Sequence, residues 1–393
     1  MENQREKFDI PADIRYLNCA YMSPQLLSVA EAGVRALNRK NQPWNYTVGD
    51  FFEPLRDLQK LFAGIIGSDE PERVAVTPSV SYGLANVARN LPARPGLNVV
   101  VAGEQFPSNV YTWTRWAEDC GSEVRIISNP QMKGEKESWN EKIHKAIDGN
   151  TVALAIGNVH WADGKVFDLV ELRKKTNECG AMLIIDGTQS VGAKPFDVEA
   201  LQADAVICAG YKWLMGPYSI GMAWYGPRFD DGIPIEQNWI HRNGSEDFKN
   251  LVNYQSQYRE KAARYSVGES SNFILLPMMV EALKQIRDWG VENISKHCGE
   301  ITGETFDELR ECGCEVGDGG EISPHLFGIR LPEGFAPESL QEVFAREKII
   351  VSLRGSAVRV SPHVYNTRED IFALLQCIKT TIRKKAGIGR ISP

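Results

Sequence analysis

The chain has 393 residues and a mass of 43.9 kDa, enough for roughly two to three domains. Hydrophobic residues make up 43% of it and charged residues 24%, which is typical of globular proteins and excludes disordered, collagen-like and small disulfide-stapled chains. With 44 basic against 51 acidic residues the net charge is −7, so the chain lacks the positive surplus of nucleic-acid-binding proteins, and we expect no nucleic-acid partner.

The first residues carry charges throughout and contain no apolar core of a secretory signal. No run of eighteen or more apolar residues is present, so we expect no membrane segment. The eight cysteines are scattered, and only Cys312 and Cys314 lie close together, which is a weak indication of a metal site. We therefore expect a cytoplasmic protein with reduced cysteines, no bound metal and no membrane partner.

Between residues 75 and 226, short apolar runs alternate with longer amphipathic segments. The short runs are NVVVAG (98–103), EVRIIS (123–128), TVALAIG (151–157), AMLIIDG (181–187), DAVICAG (204–210) and IGMAWYG (220–226). Their length and continuous apolar character predict strands buried on both faces of a sheet. The segment 168–180 ends at a glycine and predicts one of the intervening helices. This alternation predicts an α/β fold with a mostly parallel sheet flanked by helices.

Beyond about residue 270 the pattern changes. Two helices interrupted near Gly290 are followed by strand-like runs at 325–331, 349–355 and 356–362, and a last helix begins near Arg368. These elements predict a second, smaller α/β domain. The stretch 227–265 contains turn residues but no clear periodicity, and we assign it no element.

A carboxylate and a lysine follow two successive predicted strands. Asp186 ends the most apolar run, and Lys212 comes after the next one. Because the carboxyl ends of parallel strands meet at one edge of a sheet, both side chains are expected in one crevice. Taken alone, Asp186 is more often a capping residue. Lys212 is different, because Tyr211 and Trp213 give it an apolar setting, which lowers the pKa of an amine and makes it nucleophilic.

Pyridoxal 5′-phosphate (PLP) requires this pair of groups. The lysine forms the Schiff base, and the carboxylate keeps the pyridine nitrogen protonated so that the ring withdraws electrons from the substrate Cα. Gln189, three residues after Asp186, is a candidate hydrogen-bond partner of the ring hydroxyl. It is equally well explained as a turn residue.

Further segments extend the pattern over most of the chain, from about Tyr16 to Asn366. They are YLNCAYMSP, TPSVSYGLANVA, EQFPSNVYTW, NVHWADGKVFDL, YSVGESSNF and VRVSPHVYNT. In this order they resemble class V aminotransferase-like enzymes of PLP fold type I, a group that includes cysteine desulfurases, kynureninases and isopenicillin-N-epimerase-like proteins. The resemblance implies a seven-stranded, mostly parallel sheet and a homodimer. It also implies an N-terminal segment near the active site (1–25), a large PLP-binding domain (26–270) and a small C-terminal domain (271–393).

The resemblance also implies which residues bind the cofactor. The phosphate would be held at the start of a helix, which we predict to be capped by Thr77 with Pro78 at its first position. A plain capped helix is the alternative. The candidate cofactor residues are Lys212, Asp186, Gln189, Ser79, Val80 (through its amide), Phe106 (stacked on the ring), Tyr211, Trp161 and, from the partner subunit's loop, the segment containing Ser270 and Ser271.

Arg359 matches the arginine that grips the substrate α-carboxylate in the family. A guanidinium binds a carboxylate through two parallel hydrogen bonds, and a surface salt bridge is the alternative role. Arg354 is a second candidate anion contact, and Tyr21 in the N-terminal segment is a candidate substrate contact. The interval before Arg359, KIIVSLRGSAV, contains no cysteine, whereas cysteine desulfurases carry their nucleophilic cysteine there.

These features predict a PLP-dependent enzyme acting on an amino-acid-like amine, similar to the isopenicillin-N-epimerase-like branch. A carbon–sulfur or kynureninase-like lyase is the enzymatic alternative. A protein that kept the fold and lost catalysis is an alternative of another class, and the presence of Asp186, Lys212 and Arg359 argues against it. The sequence leaves open the substrate and the choice among transamination, lyase, epimerisation and cyclisation chemistry.

Overall fold

A computed structural model describes residues 1–130, 136–317 and 321–388, with side chains as far as residue 384. The strands in these residues are β1 Arg15–Tyr16, β2 Val74–Thr77, β3 Asn98–Ala102, β4 Glu123–Ile127, β5 Thr151–Gly157, β6 Met182–Asp186, β7 Ala205–Ala209, β8 Gly221–Tyr225, β9 Phe327–Arg330, β10 Ile349–Ile350, β11 Ser352–Arg354 and β12 Ala357–Val360. The helices are α1 Leu27–Lys40, α2 Gly49–Ile66, α3 Val80–Arg89, α4 Ser108–Cys120, α5 Trp139–Ala146, α6 Leu169–Cys179, α7 Val198–Leu201, α8 Leu275–Trp289, α9 Val291–Thr302, α10 Thr305–Glu311, α11 Gln341–Arg346 and α12 Arg368–Ile388. All six strands predicted between residues 98 and 226 are present as β3 to β8.

The larger of two compact units comprises Ser28–Asn158 and Phe167–Asp288. It contains a seven-stranded sheet in the order β2-β8-β7-β6-β5-β3-β4. Only β8 runs antiparallel to its neighbours, so the predicted fold class, a mostly parallel sheet flanked by helices, is confirmed. In the middle of the sheet Asp186 pairs with Gly157 on one side and Ile207 on the other. The carboxyl ends of β5, β6 and β7 therefore lie together at one edge.

The core of this unit lies between the sheet and its helices. Strands β3, β7 and β8 are buried along their whole length, as expected for strands covered on both faces. The buried cluster joins strand and helix side chains, among them Leu84, Val87, Val99, Val101, Trp113, Ile184 and Ile207. The prediction of burial on both faces is wrong for β4, which is exposed or half-buried along its length because it lies at the edge of the sheet. It carries Glu123 and Arg125, charges of the kind that protect sheet edges from unwanted pairing.

The smaller unit comprises Met1–Leu27, Val159–Val166 and Trp289–Pro393. It contains an antiparallel sheet in the order β11-β12-β9 and a short parallel pair of β1 with β10. The loop 159–166 is held in this unit by a close contact between the backbones of Gly164 and Leu326, and the φ of Gly164 is +78°. A Cβ added there would lie 1.8 Å from the carbonyl oxygen of Leu326, so the position accommodates only glycine.

The stretch 227–265, to which the sequence pattern assigned no element, folds as short 3-10 turns. They are Pro227–Phe229, Phe248–Asn250 and Lys261–Tyr265. Among the described residues, no helix combines the length and the apolar character needed to cross a bilayer.

Candidate active site

Lys212 lies three residues beyond the end of β7, and only 6% of its surface is exposed. Its Nζ lies 5.4 Å from the centroid of the Phe106 ring and 5.5 Å from that of the Tyr211 ring. Phe106 follows β3, so two strands of the sheet deliver these groups to the same place. The amine is thus set among aromatic rings, an environment suited to a lysine that attacks carbonyl carbons.

Asp186 is the last residue of β6, and its Oδ1 accepts a hydrogen bond from the backbone N–H of Thr188 at 3.1 Å. Burial raises the pKa of the Asp186 carboxyl, while the hydrogen bonds from Thr188 and the charge of Lys212 act in the opposite direction. The structure therefore brings Asp186 and Lys212 close enough to interact electrostatically, as their positions after successive strands predicted. A carboxylate in this setting gains from a cationic partner.

Gln189 ends the 3-10 turn Gly187–Gln189 that follows β6, and only 4% of its surface is exposed. The indole N–H of Trp213 donates to Gln189 Oε1 at 2.8 Å. This bond fixes which way the amide points, because the indole nitrogen can only donate. The NH₂ group of the Gln189 amide is therefore the end that donates hydrogen bonds. Trp213 is a positioning residue that sequence reasoning treated only as apolar surroundings.

The helix that follows β2 begins later than predicted. Thr77 does not cap it, because Thr77 is the last residue of β2 and pairs with Gly221, and a residue before a proline favours extended backbone. Ser79 is the N-cap of α3: its Oγ accepts from the N–H of Tyr82 at 3.2 Å and lies 2.9 Å from Ser81 Oγ. Ser79 and the amide of Val80 therefore lie at a helix N-terminus, where backbone N–H groups and the helix dipole favour anions.

Ser270 and Ser271 are both buried, with 1% and 5% of their surfaces exposed. Ser270 Oγ has no hydrogen-bond partner within the described part of the chain. Just before them, Val267 N–H donates to the carbonyl of Val76 on β2 at 2.9 Å, so the segment runs beside the strand that leads to Ser79.

In the smaller unit, Arg359 on β12 is 1% exposed. Its Nη1 donates to the backbone carbonyl of Trp161 at 3.0 Å, while Nε and Nη2 have no hydrogen-bond partner among the described residues. Burial, together with the nearby charge of Arg354, lowers the pKa of Arg359 to about 9, so the guanidinium still carries its charge at neutral pH. A buried guanidinium with unmatched nitrogen donors has the chemistry to bind a carboxylate through two parallel hydrogen bonds.

Tyr21, the other candidate substrate contact, is 54% exposed. The contacts described for Arg359 do not include it. They include Tyr16, which interacts electrostatically with Arg359. Burial raises the pKa of the Tyr16 hydroxyl. The sequence analysis did not predict this interaction. The sequence carried no signal for this, since Tyr16 and Arg359 lie more than 300 residues apart.

A family model for class-V aminotransferases matches residues 46–374. The chain belongs to the class-V aminotransferase family. Curated members of the family that resemble it include an uncharacterized aminotransferase, YcbU, of Bacillus subtilis (27% identical; 82% of this chain, 83% of the relative) and a probable cysteine desulfurase of Methanothermobacter thermautotrophicus (26% identical; 99% of each). The solved cysteine desulfurase of Thermococcus onnurineus has the same fold, with a TM-score of 0.82 at 20% identity over 98% of this chain and 99% of that one.

This member of the class-V aminotransferase family is a PLP-dependent enzyme, and the predicted family and cofactor are confirmed. The groups around Lys212 fit PLP on the chemistry of the donor set: a buried amine, a carboxylate that lacks a full counter-charge, an oriented amide and a half-exposed aromatic ring. When bound, PLP supplies an electron sink for negative charge at the substrate Cα.

The residues around Lys212 would have separate roles with PLP bound. The Lys212 amine would hold the cofactor and could accept a proton from the substrate Cα. Asp186 would stabilise a positive charge on the ring nitrogen, and the Gln189 amide would donate to the ring hydroxyl. The flat Phe106 ring would stack against the cofactor.

Proposed function

We propose that this enzyme acts on an amino-acid-like amine in the manner of the isopenicillin-N-epimerase-like branch of the family, with Lys212 and Asp186 as its catalytic residues. The observation that carries the proposal is the placement of Lys212 Nζ 5.4 and 5.5 Å from the centroids of the Phe106 and Tyr211 rings, within electrostatic reach of Asp186. Arg359 would hold the substrate carboxylate through the two N–H groups that lack partners. The cofactor and substrate contacts predicted for Trp161 and Tyr21 belong to the same proposal.

Chemical labelling tests the assignment of Lys212. Borohydride reduction of the PLP-loaded protein, followed by peptide mapping, should place the pyridoxyl group on Lys212, and Lys212→Ala should remove the label because no other amine occupies that position. Lys165 offers a matched control, since it is another buried lysine, paired with Glu321 in the smaller unit. Lys165→Ala should keep the label. A pyridoxyl group on any lysine other than Lys212 would refute the site.

A product screen by mass spectrometry would identify the reaction. Products that form only with a keto-acid acceptor would indicate transamination, and acceptor-free release of ammonia, sulfide or alanine would indicate a lyase. A carbon–sulfur or kynureninase-like lyase remains the second candidate, favoured by the relatives named cysteine desulfurase and kynureninase. Desulfuration through a nucleophilic cysteine is disfavoured, because only Gly355 and Ser356 connect β11 to β12, and Cys377 lies buried on α12.

We also propose that the enzyme is a homodimer and that Ser270 and Ser271 reach the PLP phosphate of the partner subunit. The family resemblance supports this assembly, and closed two-fold dimers are the commonest oligomers. A cytoplasmic location belongs to the same proposal. It is supported by the eight cysteines, all within the described residues, which form no disulfide.

A further inference from the structure

Two guanidinium groups lie over one indole ring in the smaller unit. The Cζ atoms of Arg354 and Arg359 lie 5.6 and 5.8 Å from the centroid of the Trp161 ring. The strand register explains the pairing: Ser352 lies opposite Arg359, and Arg354 lies opposite Ala357. Because alternate residues of a strand share a face, Arg354 and Arg359 point to the same side of the β11–β12 hairpin as diagonal neighbours. Gly355, at φ +55°, permits the two-residue turn that sets this register.

The charge of this arginine pair is not neutralised within the described part of the chain. Arg359 donates only to the carbonyl of Trp161, and Arg354 donates to the carbonyl of its own neighbour Leu353 at 2.7 Å. Neither guanidinium takes part in an ion pair with any described carboxylate, whereas Arg330, on the adjacent β9, lies 3.7 Å from Asp163. The positive charges of Arg354 and Arg359 repel each other, and burial strengthens the repulsion because it lowers the local dielectric constant. An arrangement of this kind is stabilised by a ligand with more than one negative charge.

We propose that the substrate carries a second anionic group besides its α-carboxylate, and that Arg354 is the specificity-determining residue that recognises it. This inference rests on the proposed function, because Arg359 is taken to bind the α-carboxylate. The ligand class is an amino acid with a side-chain carboxylate or a comparable acidic group. Diagonal neighbours of a hairpin are about 7–8 Å apart, a spacing that two carboxylates on one short chain can match, and the Trp161 indole supplies a flat surface beside both guanidinium groups.

Carboxylates without an amino group test the inference independently of turnover. Calorimetric titration of the PLP-loaded enzyme with glutarate and with butyrate should show glutarate binding at least about tenfold more tightly, as expected for one additional charge-assisted hydrogen bond. Arg354→Gln should remove this preference while leaving butyrate binding within about twofold. Arg354→Lys should keep part of it, because the positive charge remains.

Arg346→Gln is the matched control, because Arg346 is an exposed arginine of the same unit that is paired with Glu347. It should leave the preference for glutarate unchanged. Equal binding of glutarate and butyrate by the unmodified enzyme would overturn the inference without any variant, as would an equal loss of both ligands in a folded Arg354→Gln protein. Borohydride labelling reports on the proposed function separately: labelled Lys212 without a glutarate preference would leave that function standing and reject only the second anionic group.

Discussion

Asp186 and Arg359 are opposite charges that the fold takes partly or wholly out of water before any ligand is bound. For each residue, burial shifts the pKa against the charged form. Neighbouring groups compensate in part at Asp186, whereas the nearby Arg354 adds to the shift at Arg359. A pKa shift of this kind means that the charged side chain destabilises the folded protein. A ligand of opposite charge offsets that destabilisation when it binds. The two residues therefore show where a cation and an anion are expected, which agrees with a pyridinium nitrogen at Asp186 and a carboxylate at Arg359.

Asp186→Asn is expected to keep PLP bound and to slow turnover by about 100-fold or more, because an amide cannot hold the positive charge on the ring nitrogen. The cofactor absorbance would verify that PLP remains bound, and steady-state kinetics would measure the loss. Turnover close to that of the unmodified enzyme would mean that Asp186 is not the partner of the ring nitrogen.

The same substitution should make the PLP-free protein more stable at neutral pH. Because burial raises the pKa of Asp186 in the folded state, the folded protein holds this proton more tightly than the unfolded chain does. The resulting stability is present below the unfolded pKa, about 3.9, and is lost as the pH rises through the folded pKa. Thermal unfolding midpoints should therefore be higher for Asp186→Asn at pH 7, and the difference should narrow towards pH 4. A lower midpoint at pH 7 would contradict this.

At the scale of single elements, the loops that carry the site contain backbone conformations that are costly for residues with a side chain. Three residues next to predicted site residues have a positive φ. Met215 lies three residues after Lys212 and has φ +55°. Glu104, two residues before Phe106, has φ +50°, and Glu269, beside Ser270, has φ +57°. Each left-handed residue costs about 1–2 kcal/mol relative to an ordinary conformation. Such residues concentrate at functional sites, where surrounding contacts hold them in place.

Ser79→Ala is expected to destabilise the protein by about 1 kcal/mol through loss of the α3 cap, and to weaken PLP binding as well. Ser138→Ala provides the matched control: Ser138 caps α5 with the same 3.2 Å bond to a backbone N–H and lies outside the predicted site. It should cost similar stability and leave PLP affinity unchanged. Measured unfolding midpoints and PLP dissociation constants would separate the two effects, and equal PLP affinities for both variants would remove Ser79 from the phosphate site.

Strands β3 and β5 to β8 were predictable because each is a continuous apolar run, and the positions of Asp186 and Lys212 followed from where those runs end. The cap of α3 was not, since Thr77-Pro78 matches a common helix start, and only the pairing of Thr77 with Gly221 shows that Thr77 still belongs to β2. The bond from Trp213 to Gln189 joins side chains 24 residues apart across a loop, for which no local pattern exists.

At the scale of the whole molecule, the predicted site residues are divided between the two compact units. Lys212, Asp186 and Ser79 lie in the larger unit, while Trp161 and Arg359 lie in the smaller one. The smaller unit draws on three separate stretches of chain, which composition and periodicity do not reveal. The sequence-based division into 1–25, 26–270 and 271–393 stays a prediction, which limited proteolysis of the PLP-loaded enzyme would test.

If the active sites are shared between subunits, two inactive variants should complement each other. Mixing Lys212→Ala with a protein carrying Ser270→Ala and Ser271→Ala should generate heterodimers with one intact site, and therefore activity that neither parent has. Mixtures of each variant with itself are the control. Sedimentation should give a dimeric mass, and a fully active monomer would reject the proposed assembly.

The hydrogen bond from Arg359 to the carbonyl of Trp161 joins residues 198 positions apart. Ribosomes add about 5–20 residues per second, so about 10–40 s separate the synthesis of these two residues. All strands of the seven-stranded sheet have been made by Tyr225, well within that interval. The loop containing Trp161 and Gly164 can make its final contacts only after Leu326 and Arg359 have been synthesised. The sheet beside Lys212 can therefore form on the nascent chain before Arg354 and Arg359 have been synthesised.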